Sequence, residues 1–145
     1  MPRLNIKSDA FPEMHGPANK AANTRSLVPY IIDLQRRATA MNPTRKHRHM
    51  LKVVESLQAA IDIFYSNGSF LSEETVTALA RHLNKMGQNY QVLQNLAFQD
   101  KQTRWKTTVK MHYVVGHPAD QATLINPKAT QGYRSESMVG TVCTI

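Results

Sequence analysis

Three groups of residues have types and spacings that could do chemistry. The first is "KMHYVVGHPADQATLINPKATQGYRSES", Lys110 to Ser137, which holds His112, His117, Asp120 and Glu136. Two histidines and a carboxylate suit metal ligation or proton transfer. On a helix, however, residues five apart point about 140° from each other, so His112 and His117 should not converge as a His-x-x-x-His pair does. Pro118, with Gly116 before it, could bend such a helix and re-aim His117. Asp120 is near enough in sequence to orient His117, yet an orienting acid without a nucleophile or a metal performs no reaction. Glu136, behind Ser135, reads as a first-turn acid of the apolar stretch "SMVGTVCTI", a short C-terminal helix or strand.

The second and third groups are cationic. From Leu34 through Val54 the chain carries Arg36, Arg37, Arg45, Lys46, Arg48 and Lys52, with His47 and His49 interleaved and no Asp or Glu. Arg45, Arg48 and Lys52 follow three- and four-residue steps, which place them on one helix face roughly opposite Met50. Further on, Lys101, Arg104, Lys106 and Lys110 surround Trp105. Cations around an aromatic ring can track phosphates while the ring stacks on a base. The competing reading is two solvated faces, with Trp105 as a core anchor whose indole edge stays polar. Candidate nucleic-acid contacts are therefore Arg45, Lys46, Arg48, Lys52, Arg104, Trp105, Lys106 and Lys110.

Composition agrees with a polyanionic partner. Eighteen Lys and Arg against ten Asp and Glu give the 145-residue chain a formal net charge of +8, and a pI near 9.9, which favours nucleic acid or an acidic protein surface. The single cysteine, Cys143, excludes an intramolecular disulfide and a multi-cysteine zinc site, and points to a reducing, intracellular compartment. "TRKHR" is too short a basic run to separate nucleus from cytoplasm. No stretch forms a signal-peptide core or approaches the roughly 18 apolar residues of a membrane span, so a soluble protein without a membrane partner is expected.

The elements that must position these residues read as helices. Residues 1–17, with Pro2, Pro12, Gly16 and Pro17, form an irregular lead-in, and residues 18–145 a single helical domain. A helix runs from about Ala18 to Met41, with Pro29 kinking it or starting a second helix after Val28. The next opens with Asn42 as cap and Pro43 at its first position, and closes at Gly68 in a left-handed cap. Met50, Val54, Leu57, Ile61 and Phe64 give it one apolar stripe. After "SNGSFLS", Ser72 caps a second long helix with Glu73 and Glu74 in its first turn and Val76, Leu79, Leu83, Met86, Tyr90, Leu93 and Ala97 as its stripe. Such stripes could serve an oligomerising coiled coil, but across a tight turn they are expected to meet each other, with Met50 and Met86 filling gaps. The expected class is all-α: a bundle built on a long antiparallel helical hairpin, with a short C-terminal helix.

The succession "TVKMHYVVGH", "INPK" and "GYRSES", preceded by the Phe-Pro and Gly of "FPEMHGPANKAANTRSLVP", resembles the C-terminal part of transposase-like proteins of eukaryotic mobile elements, most closely from Val109 to Ile145. The resemblance implies that the hairpin is an insertion in an RNase-H-like core of the DDE type, with Glu136 matching the last metal-binding carboxylate. Two divalent cations held around a phosphate need several carboxylates. Here Asp9 lies in the lead-in, while Asp33, Asp62 and Asp100 fall on expected helices. The chain then reads as a fragment or remnant of a longer protein, inactive alone, with no cofactor unless a longer parent supplies the divalent metal. The leading expectation is a non-catalytic helical module that binds nucleic acid, DNA first. The alternatives are a structural or protein-interaction bundle whose basic face meets an acidic partner, and a metal-dependent nuclease piece using Glu136 with His112 or Asp120.

Overall fold

The structure, a computed structural model, describes residues 21–130. Within them the chain forms α1 (Ala21–Met41), α2 (Arg45–Ser66), α3 (Glu73–Gln99), α4 (Val109–Ala122) and the single turn α5 (Pro127–Thr130), and no strand. The all-α class and the antiparallel α2–α3 hairpin are as expected. The lead-in over residues 1–17 and the C-terminal element around Glu136 and Cys143 lie outside the described residues.

Helix boundaries follow local capping, with two departures from the sequence reading. Thr44, not Asn42, caps α2: its Oγ1 accepts the His47 N–H at 3.2 Å. Asn42 is still engaged by the preceding helix, since its N–H donates to the Ala38 carbonyl at 2.9 Å, so Pro43 sits in the linker. At the other end α2 stops at an extended Asn67, and Gly68 does not take a left-handed conformation. Side chains satisfy the free carbonyls there instead. Asn67 Nδ2 donates to Ile63 O at 2.8 Å, and Asn126, far along the chain, donates from Nδ2 to Phe64 O at 3.0 Å and to Gly68 O at 2.8 Å. Ser72 caps α3 through the Thr75 N–H at 3.3 Å, with Glu73 and Glu74 in the first turn. Pro29 does not divide α1, and Pro118 does not divide α4. Pro29 is exposed, where water can solvate a carbonyl that proline leaves unpaired.

Helix α3 is the centre of the core. Leu79, Leu83, Met86, Leu93 and Ala97 are buried along it, at the three- and four-residue steps that its sequence displays. From α2, buried Ala60 with Val53, Leu57, Ile63 and Phe64 meets this line, and α4 adds Ala122, Met111, Val115 and Ala119. The buried residues of α2, Ser56 and Ala60, are both small. Met50, Val54 and Ile61 are only half-buried. Because α2 packs against α1 as well as α3, its apolar positions serve two directions and no single stripe describes them. On α3 the residue buried beside the expected Tyr90 is Asn89. A methyl group on Gly87 would stand 3.0 Å from Val115 Cγ1, so the glycine allows α4 to cross α3 closely.

Helix α1 lies back along α2. Val28 and Ile32 are buried, Gln35 Nε2 donates to His47 O at 3.3 Å, and the Arg36 guanidinium meets Glu55 Oε1 at 2.8 Å.

Candidate nucleic-acid interface

One polar contact sets the register of the hairpin. Asn89 Nδ2 donates to Lys85 O at 2.7 Å, which turns its Oδ1 toward α2. His49 Nδ1–H donates to that oxygen at 2.7 Å. Counting from this pair, the start of α2 runs beside the last third of α3, and Lys52 stands nearly level with Lys85. Arg48 and Lys52 come one residue before His49 and Val53, which face α3; Arg81 and Lys85 come one residue before His82 and Met86. In an antiparallel pair these two flanks fall on the same side of the helix plane. The described flank therefore carries Arg48, Lys52, Arg81 and Lys85, with Arg45 at its upper edge and Lys46 turned away and half-buried. Arg81 and Lys85 did not stand out in the sequence, where they are an isolated pair; only the register joins them to Arg48 and Lys52.

The one-signed run is shorter than its sequence suggests. Its window, Leu34 to Val54, ends one residue short of an acid on each side. Asp33 takes Arg37 at 2.7 Å and Glu55 takes Arg36 at 2.8 Å. His47 is also engaged, donating Nδ1–H to Asn42 O at 2.7 Å. Arg45, Lys46, Arg48 and Lys52 make no ion pair with a described carboxylate. Arg45, Lys46 and Arg48 stand at the beginning of α2, whose first turn has no acid, and there the helix dipole disfavours positive charge, while Lys52 lies two turns in, beyond that effect.

The Trp105 group lies elsewhere. Arg104, Trp105 and Lys106 are in the α3–α4 loop, and Lys110 is in the first turn of α4. The loop leaves α3 through a Schellman motif, with Gln102 N–H donating to Ala97 O at 2.8 Å and Lys101 N–H to Phe98 O at 3.0 Å. Lys101 holds the left-handed position, at φ 56°, that glycine ordinarily fills. The loop then folds back on the α4 side of α3. The Tyr90 hydroxyl donates to Lys106 O at 3.1 Å, and Thr107 Oγ1 to Gln94 Oε1 at 2.6 Å. The half-buried Trp105, itself at φ 61°, sets its ring edge-on to Tyr90 with centroids 5.4 Å apart. Burial pushes the Tyr90 hydroxyl above the ordinary phenol value. Trp105 thus anchors the loop, while Arg104, Lys106 and Lys110 are exposed. The sequence's two cationic groups occupy different flanks.

The histidine segment corrects an expectation. The His112 and His117 rings lie edge-on with centroids 5.9 Å apart despite their divergent backbone positions, and Tyr113 and His117, four residues apart, stack with centroids 4.4 Å apart on the exposed side of α4. Asp120 does not bond to His117; its backbone carbonyl accepts the Thr123 hydroxyl. Among the described residues no three His, Cys, Asp or Glu side chains are grouped to hold a metal ion. Glu136 lies outside the described residues. No helix among the described residues is long and apolar enough to cross a membrane.

Compared with protein-family models, with curated proteins and with solved structures, the chain has no match in any of the three.

Proposed function

We propose that the protein is a non-catalytic nucleic-acid-binding module, for DNA in the first place, that contacts phosphates through Arg45, Arg48 and Lys52 on α2 with Arg81 and Lys85 on α3. One observation carries the reading: cations without described carboxylate partners collect at the start of α2, where like-charge repulsion and the helix dipole both oppose them. A phosphate backbone lying along the flank would relieve both. Lys46, Arg104, Lys106 and Lys110 stand outside this flank and would add long-range attraction rather than contacts. Origin from a transposase-like protein, suggested by the segments from Val109 onwards, belongs to the same proposal.

The test is fluorescence anisotropy with labelled single- and double-stranded DNA across a salt series. Each duplex phosphate neutralised contributes about −0.9 to the slope of log affinity against log salt. Replacing Arg45, Arg48 and Lys52 together by Ala should lower affinity and make that slope shallower by roughly 3 units. No binding at low salt, or binding indifferent to salt and to the triple substitution, overturns the proposal. In that case the flank would fit an acidic protein surface.

A further inference from the structure

We propose that α1 is a self-association helix, pairing antiparallel with α1 of a second copy of this chain. The helix carries two apolar lines. Val28 and Ile32, each 6% exposed, face α2, and Gln35 and Thr39 continue that line toward His47 O. One step round the helix run Leu27, Ile31, Leu34, Ala38 and Met41. Their spacing of four, three, four and three residues is the seam of a coiled coil. Ile31 is 41% exposed, Leu34 46% and Met41 87%, with Tyr30 at 61% beside them. A solvated helix face does not require heptad spacing of large apolar residues. A seam of this kind is complementary to itself.

Charge and geometry select a second copy as its occupant. Arg36 and Glu55 pair on one flank of the α1–α2 layer, the flank that also carries Arg48 and Lys52; the seam occupies the opposite one. Arg37 is neutralised by Asp33. Two copies can therefore meet through α1 while their cationic flanks stay apart. The positions next to the seam on the α2 side, Val28 and Gln35, are committed to α2, which disfavours a parallel pair. An antiparallel pair sets the α2-side positions of the two copies together on one side of the seam and, on the other, brings Tyr30 toward Arg37 of the partner subunit, a cation–π geometry. Four exposed side chains of this size offer on the order of 500 Å² per copy, about 1,000 Å² for the pair, at the lower edge of specific interfaces. The complex should be a weak, concentration-dependent dimer, independent of nucleic acid.

Sedimentation velocity of the full chain without nucleic acid, up to about 100 μM, tests this. The 16.4 kDa chain should approach twice that mass as concentration rises. Ile31→Glu with Leu34→Glu should hold it at the single-chain mass, whereas Ala40→Glu, exposed on α1 but off the seam, should leave the dimer intact. Circular dichroism checks that each variant keeps its helix content. If the glutamate variants do not, Ile31→Ala with Leu34→Ala should raise the dissociation constant at least tenfold. A wild-type chain that stays at single-chain mass throughout, or a dimer that both seam variants leave unchanged, overturns the proposal.

Discussion

The two ends of the α2–α3 hairpin are built on opposite electrostatic terms. At the loop end α3 begins with Ser72 as cap and Glu73 and Glu74 in the first turn, charges that agree with the helix dipole. The last carbonyls of α2 are bonded by Asn67 and Asn126, and Asn126 is 1% exposed. At the open end α2 begins with Thr44 followed at once by Arg45, Lys46 and Arg48. There α3 ends on a lysine in the glycine conformation, and the loop beyond it holds a tryptophan at positive φ. One end is consistent at every level from cap to charge. The other retains unfavourable terms that nothing in the described fold removes.

That contrast can be broken most forcefully at Asn126. Its buried amide donates to carbonyls of the α2 end and its own N–H donates to Ser69 O at 2.7 Å. Asn126→Leu should destabilise by about 2–4 kcal/mol through the part-buried carbonyls it leaves without a donor. Urea unfolding measures this, and a loss below ~1 kcal/mol would mean that the loop end is not locked as described. At the open end the sign should reverse. Lys101→Gly removes a left-handed lysine and should stabilise by about 1 kcal/mol, read as a raised denaturation midpoint; a neutral or destabilising result would show that the position is unstrained. The smallest effect is a charge exchange between the ends. Arg45→Glu should raise stability by about 0.3–1 kcal/mol while weakening DNA binding, and Glu73→Arg should lower stability by a similar amount while leaving binding nearly unchanged. Equal signs for the two stability changes would dissolve the contrast.

How far the sequence was legible depended on how many neighbours each element has. The α3 stripe and the Ser72 cap could be read directly, because a helix buried mainly along one side shows its period and a capping hydroxyl acts within three residues. On α2 the stripe through Met50, Val54 and Ile61 blurred, since α1 and α3 both draw on its apolar positions. Asn42 looked like a cap because its spacing fits one, but its N–H still belongs to α1. The basic run seemed unbroken because the acids that take Arg36 and Arg37 stand just outside it, at Asp33 and Glu55. Trp105 suited either base stacking or anchoring, and the edge-on contact with Tyr90 gives it an anchoring role in the fold.

By itself the sequence determined the helical class, the hairpin and the excess of positive charge, since each follows from periodicity, capping chemistry or residue counts along the chain. Tertiary structure alone decided which cations share a flank, that Asn126 closes the distant end of α2, and that a second apolar line on α1 remains exposed. The reason is physical. Helix formation and capping act over three or four residues, whereas register between helices, and with it every contact across the fold, is set by packing of side chains remote from one another in sequence.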